Sequence, residues 1–295
     1  MFGMHFSAPI QVAMEAAWTV GQKLASGDWL TETRTKAHPT FGTASVSDAD
    51  ENAQEMATRI IRQEFPDALI VGEEKSEGST LSFQEILSAP LVFYLDMLDG
   101  STSHEHDDEA WSSSIGIVQY GRHIGGVINA PDIRGGLLVA GEINKGAFLW
   151  ERGSLKPKKL VASEMRKPAK PVVCLGLDVM RTDWFWEFLK AMPKKLRPRN
   201  SAPSGALGLA KVAAGRCDCI IQYPQFPWDV FGGIPICEEA GWKLQYYIIE
   251  DGKVVLIPKL IAECYRTDKQ VLGIIGGHAE LVEELTPLFI EHYGK

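Results

Sequence analysis

Long apolar runs and positive charge are both scarce in this chain. No continuous apolar stretch approaches the ~20 residues that span a bilayer, so no membrane partner is expected. Met1 to Leu30 holds no Lys or Arg before Lys23 and no continuous apolar core, so a cytoplasmic location is expected rather than secretion. Lys plus Arg number 30 against 38 Asp plus Glu, a formal net charge of −8, and no nucleic-acid partner is expected from so acidic a chain. Cysteine is limited to five, Cys174, Cys217, Cys219, Cys237 and Cys264. An odd number in a long chain fits reduced, buried thiols better than a disulfide framework. Cys217 and Cys219 could share one face of a strand, but a zinc site would need further ligands at suitable spacing. Repeats and low-complexity segments are absent.

The remaining composition is that of a folded protein, 45% hydrophobic and 23% charged over 295 residues. A chain of this length holds two domains or one large one, at ~150 residues each. It buries about three quarters of its unfolded surface, enough for a core without disulfide or metal.

Ile10, Ala13, Ala17, Val20 and Leu24 recur at helical spacing, predicting a helix that ends near Ser26-Gly27. A loop rich in Thr, Pro and Gly is expected next. A second helix is marked by Ala53, Met56, Ala57, Ile60 and Ile61 and closed by Pro66. Ala68–Val71 and Leu91–Leu95 read as strands, the second leading directly into Asp96. Ser114–Tyr120, Gly125–Asn129, Gly136–Ala140 and Gly146–Trp150 read as an antiparallel meander. Lys156 to Lys170, basic and Pro-containing, is the expected boundary between domains at 1–160 and 161–295. Beyond it, strands at Val172–Leu177, Cys219–Tyr223 and Val271–Ile275 alternate with helices at Trp184–Met192, Ala206–Ala214, Val230–Ala240 and Leu281–Phe289. This alternation is the pattern of layered α/β structure.

Three acidic groups stand at the ends of these elements: Glu73-Glu74, Asp96-Met97-Leu98-Asp99-Gly100-Ser101, and Trp228-Asp229. Two aspartates three apart in a turn closed by glycine can point at one centre, and the glycine lets backbone approach a ligand. Hard oxygen donors of this kind suit Mg²⁺, and paired ions can clamp the attacking and leaving oxygens of a phosphoryl displacement. Taken singly, each group also reads as a plain turn, a solvated pair or a helix cap.

Their order resembles the inositol monophosphatase family of Mg²⁺-dependent, lithium-sensitive phosphatases. Ile70-Val71-Gly72-Glu73-Glu74 is like its Gly-Glu-Glu. Leu95-Asp96-Met97-Leu98-Asp99-Gly100-Ser101 is like its Asp-Pro-(Ile/Leu)-Asp-Gly-Thr. Trp228-Asp229 with Glu239-Ala240-Gly241 is like its Trp-Asp…Glu-Ala-Gly, and Val46–Asp50 resembles a further motif.

The resemblance implies an α/β (α+β) fold, a layered αβαβα sandwich, and a homodimer acting on a small phosphorylated metabolite with two to three Mg²⁺ ions. It implies that Glu73, Asp96 and the Leu98 carbonyl bind one ion, and Asp96, Asp99 and Asp229 a second. Asp50 would serve a weaker third site with Glu73. Ser101 and Glu73 would activate water, while Gly100, Ser101, Gly205 and Gln222 join Asp99 and Asp229 in holding substrate. Inositol monophosphate is the default substrate. 3′-Phosphoadenosine 5′-phosphate, fructose 1,6-bisphosphate, histidinol phosphate and a regulatory role are the alternatives.

Departures stand at Met97 for proline, Ser101 for threonine, Phe231 for a small residue, and Gln222 for the glutamate of inositol-specific members. Pro235 is expected to kink its helix. His104–Glu109 is expected to be a solvated loop, Trp184 and Trp186 to pack in the core or at a domain edge, and Lys194–Arg199 to be a solvated connection.

Overall fold

The computed structural model describes residues 6–27, 29, 33–38, 42–74, 82–154, 156–176, 180, 182–200 and 204–294. Five layers alternate helix and sheet, the αβαβα order. The outer helices α1 (Ala8–Ala25) and α2 (Asp48–Glu64) pack against a seven-stranded sheet. Its strands are β3 (Leu69–Gly72), β4 (Val92–Asp99), β5 (Ser112–Gln119), β6 (Arg122–Ala130), β7 (Leu137–Glu142), β8 (Gly146–Trp150) and β9 (Lys158–Leu160), in chain order. Only β3 and β4 run parallel; the rest form the expected meander. Two short helices, α3 (Phe83–Ser88) and α4 (Ser101–Glu105), flank β4.

The second sheet has order β11-β10-β12-β15-β13-β14. Here β10 is Val172–Leu175, β11 Arg197–Asn200, β12 Cys219–Gln225, β13 Lys243–Glu250, β14 Lys253–Ile257 and β15 Leu272–Gly277. Between the sheets lie α6 (Gly205–Ala213), α7 (Pro227–Val230) and α8 (Ile234–Glu239). Outside the second sheet lie α5 (Phe185–Ala191) and α9 (Ala279–His292). The central core draws on both sheets, from Val71 and Tyr94 to Leu272 and Ile274, all fully buried. All five cysteines are free and buried. No helix among the described residues is long and apolar enough to cross a membrane.

Several sequence expectations are corrected. The segment after α1 expected to be loop holds a hairpin, β1 (Thr33–His38) and β2 (Gly42–Ser47). Strand β4 does not end at Leu95 but runs through Asp99. The expected helix Val230–Ala240 is two helices, and Pro235 sits in the first turn of α8, where its missing N–H leaves no bond unmade, instead of kinking a continuous helix. Lys194, Lys195, Arg197 and Arg199 are exposed as expected, but Leu196 between them is buried and the run ends in β11, an edge strand whose Pro198 and arginines discourage further pairing. Trp184 is buried as expected, whereas Trp186 on α5 is 57% exposed. Cys217 lies ahead of β12 and donates its thiol hydrogen to the Cys219 carbonyl at 2.9 Å. Leu177 falls outside the described residues.

A row of glycines fixes how the layers meet. Gly116, Gly126 and Gly141 are direct cross-strand neighbours on β5, β6 and β7. A Cβ at these positions would stand 2.5 Å from Phe231 Cβ, 2.9 Å from Gly232 Cα and 2.9 Å from Ile236 Cα, respectively. The row is a trough without side chains, and the backbone joining α7 to α8 lies in it. Gly126→Ala should therefore force the layers apart and destabilise the protein by about 1–3 kcal/mol, the usual range for overpacking, as measured by denaturant unfolding.

Candidate active site

Local rules bring each acidic side chain to one end of the first sheet. Glu73 follows β3, and its N–H donates to the Leu95 carbonyl at 3.1 Å, holding it beside β4. The buried Gln54 of α2 passes directly over Gly72 and fixes Glu74, two residues on, from both sides. Its Oε1 accepts the Glu74 N–H and its Nε2 donates to the Glu74 carbonyl, each at 3.0 Å. Only glycine leaves room there, because a Cβ at position 72 would collide with the Gln54 amide.

On β4 the pairing shifts: Asp96 opposes Ser114 while Asp99 opposes Ser112. Three steps on one strand match two on the other. In a regular strand residues three apart face opposite sides; this bulge returns Asp99 toward the side of Asp96. Ser113 Oγ donates to the Met97 carbonyl at 2.8 Å and pins the bulge. Met97 is itself buried, so the position that lacks the expected proline is held by packing and by this bond. Gly100 then takes φ +94°, and a Cβ there would press within 2.9 Å of the Ala110 carbonyl oxygen. Asp229 arrives from the other half, in the single turn of α7, where its Oδ2 accepts the Phe226 N–H at 2.9 Å.

The outcome is a cluster: one carboxylate oxygen from each of Glu73, Asp96 and Asp229 lies within 4.8 Å of the others. Glu73 is exposed, Asp96 buried and Asp229 between the two. These are hard oxygen donors on a solvent-reachable edge, which fits a divalent cation with water in its remaining positions. Among the described residues no other group of three His, Cys, Asp or Glu side chains comes as close together.

Asp99 lies beside this cluster and faces a different partner. Its Oδ2 accepts from Ser204 Oγ and from the Ala206 N–H, both at 2.7 Å, and its Oδ1 accepts the Gly205 N–H at 3.3 Å. It thereby caps α6 across the gap between halves, where the helix dipole favours an anion. Ser204 Oγ in turn caps the Leu207 N–H and sits 3.1 Å from Ser112 Oγ. Burial dominates the Asp99 carboxyl and, helped by the charge of Glu73, raises it to about 7 against the hydrogen bonds that favour ionisation.

The other expected site residues are placed as follows. Asp50 is buried at the start of α2 and accepts the Ser47 N–H and Oγ–H at 2.7 and 2.6 Å; it caps that helix and is not in the three-carboxylate group. Leu98 has its side chain buried in the core under α1 and α2. Gly100 precedes and Ser101 begins α4. Gln222 on β12 donates through Nε2 to the Gly205 carbonyl at 2.6 Å, while its Oε1 is buried without a hydrogen-bond partner. His104–Glu109 is helical in its first two residues, and His104 packs edge-on against Trp111 at 5.2 Å, so it is only partly the expected solvated loop. Gln54, Ser113 and Ser204 were not expected. Ser112-Ser113-Ser114, three hydroxyls in a wholly buried stretch of strand, is the sequence signal that could have found part of this scaffold.

A sequence model of the inositol monophosphatase family matches residues 7–280. The chain is 30% identical over 198 residues to a fructose-1,6-bisphosphatase/inositol-1-monophosphatase of Thermotoga maritima, covering 66% of this chain and 69% of that protein. It is 26% identical over 274 residues to the Nus factor SuhB of Pasteurella multocida, covering 86% and 93%. In fold it is similar to an IMPase of Thermotoga maritima, with TM-score 0.73, 23% identity and coverage of 97% and 98%.

The raised Asp99 carboxyl has a consequence for the metal-free protein. Between its ordinary value of 3.8 and about 7 the folded chain holds a proton that the unfolded chain has released. The stability this supplies is complete below about pH 4 and is lost as pH rises through about 7. Denaturant unfolding in chelator should show that decline, and Asp99→Asn should remove it.

Proposed function

The chain belongs to the inositol monophosphatase family, and from that premise we propose that it hydrolyses a small phosphate monoester with Mg²⁺, inositol monophosphate being the first substrate to test. The observation that carries this reading is the convergence of Glu73, Asp96 and Asp229 within 4.8 Å. Mg²⁺ bound there would acidify a water and offset the charge of the transferring phosphoryl group.

Glu73, Asp96 and the Leu98 carbonyl would hold one ion, and Asp96 and Asp229 a second. Asp99 would join the second ion with its remaining lone pair, since three of the about four acceptor sites on a carboxylate are already taken by Ser204, Gly205 and Ala206. Asp50, committed to capping α2, would support a third ion only weakly. The Ser101 hydroxyl and Glu73 would orient the attacking water, and the Gly100 and Ser101 N–H groups would hold a phosphate oxygen. In the second half, Gly205 and the buried Gln222 would meet the alcohol part of the ester. Gln222 presents an uncharged acceptor there, one of its two amide hydrogens being donated to the Gly205 carbonyl. This supports the chemistry more firmly than inositol itself, and leaves 3′-phosphoadenosine 5′-phosphate, fructose 1,6-bisphosphate and histidinol phosphate as substrates of the same class. Inhibition by lithium and a homodimer belong to the same proposal.

A second reading, a regulatory protein that keeps the fold, is favoured by the length of the match to Nus factor SuhB. The carboxylate cluster supports the enzyme.

The deciding measurement is phosphate release from this panel of esters with Mg²⁺, then with lithium added. Turnover of at least one ester, suppressed by lithium, is expected; turnover of none would sink the enzyme reading in favour of the regulatory one. Asp96→Asn should reduce the rate by about 10²-fold or more while circular dichroism stays that of the wild type. Gln222→Glu should lower KM for inositol monophosphate relative to the other esters.

A further inference from the structure

Phe231 stands two residues after Asp229, at the bottom of the glycine trough. It is fully buried, and three rings from separate segments meet it edge to face. Tyr94 lies with its centroid at 4.9 Å, His123 at 4.1 Å and Tyr265 at 5.0 Å. Tyr94 belongs to β4, two residues before Asp96, and so shares its face of the strand; Asp96 opposes Ser114 and Tyr94 opposes Gly116. The Phe231–Tyr94 contact therefore repeats, one step deeper, the approach of Asp229 to Asp96. On its other side the Phe231 backbone rests on Gly116, where a Cβ would come within 2.8 Å of the Phe231 carbonyl carbon. Tyr265 brings the segment between β14 and β15 onto the same ring.

The surroundings of this ring are not those of plain core packing. The Tyr94 hydroxyl and both ring nitrogens of His123 are buried without hydrogen-bond partners. Each such group costs about 1–3 kcal/mol. Burial pushes the His123 pKa down to about 3, so the imidazole stays neutral and packs as a flat ring. These ring contacts hold the segment that carries Asp229 at a set depth against the strand that carries Asp96.

We propose that Phe231 is a positioning residue: wedged between Tyr94, His123 and Tyr265, it sets the separation of Asp229 from Asp96 and so the affinity of the carboxylate cluster for a divalent cation. The inference rests on the metal-site reading above. Truncation lets α7 settle or tilt by a fraction of an ångström, enough to spoil a site whose oxygens must sit within a narrow coordination shell.

The test compares Phe231→Leu and Phe231→Ala with Phe289→Leu, a fully buried ring in the outer core between the second sheet and α9. Each protein is titrated with Mg²⁺ alone, following heat of binding and the rise in Tm, and phosphate release is then measured against Mg²⁺ concentration. Phe231→Leu should weaken Mg²⁺ binding about tenfold, with the Mg²⁺ optimum for turnover moving upward in step. Phe289→Leu should lower Tm by a similar amount and leave Mg²⁺ binding unchanged. Should Phe231→Ala not fold, Phe231→Leu carries the comparison. Mg²⁺ binding by Phe231→Leu equal to that of the wild type overturns this inference alone. A wild type that binds no Mg²⁺ overturns the metal-site reading and this inference with it.

Discussion

Much of this molecule depends on backbone lying directly on a β-sheet. Helices ordinarily pack on sheets through side chains, which keep the two backbones apart. Here the aligned glycines of β5, β6 and β7 remove the spacer, and residues 231–236 descend into the gap. This approach sets the distance between the two sheets, creates the break between α7 and α8, and brings Asp229 level with the edge where β3 and β4 end. Ser114 and Trp228, and Asp99 and α6, span the same seam. Such a contact admits no small error, since an added methyl group has nowhere to go.

The second constraint is charge. Glu73, Asp96, Asp99 and Asp229 are gathered at one end of a chain that already carries a net −8. Placed together with nothing between them, carboxylates raise one another's pKa and oppose compaction. The protein answers in two ways. Asp99 is given to the N-terminus of α6, and Asp229 caps its own short helix. Glu73 is left facing solvent. The overall acidity need not then oppose an anionic ester, since divalent ions held by these carboxylates would offset their charge.

How much of this could be read from the sequence differs by scale. α1 and α2 are legible because their apolar positions keep a period of 3.6, and the meander because glycines and the Pro131-Asp132 turn separate its short apolar segments. The five-layer fold and the residues of the cluster are what the family resemblance implies, carried by the order of Gly72-Glu73, Asp96 to Gly100 and Trp228-Asp229. Three kinds of feature were not legible. The bulge in β4 depends on the cross-strand register of Asp96 and Asp99, which no local pattern records. The α7–α8 break lies against Gly116, Gly126 and Gly141, which stand far earlier in the chain. The hairpin β1–β2 is hidden by its turn-rich composition, and β13 and β14 carry no motif. Asp50 shows a further limit: a buried aspartate three residues after a serine is a helix cap first, whatever motif it also completes.

The distance along the chain between the cluster's members has a consequence for how the protein is made. Glu73 follows β3 and Asp96 lies within the adjacent parallel strand β4, so the two can meet once the first sheet forms. Asp229 is synthesised only after the whole of that sheet, and the trough it enters stays open until residues 231–236 have left the ribosome. During that interval an apolar sheet face, smooth for want of side chains, is presented to solvent and to other chains. Non-local contacts of this kind are slow to close and exposed to misassembly while they wait. The close approach that defines the mature protein thus joins segments made far apart in time, a non-local contact of the kind that closes slowly.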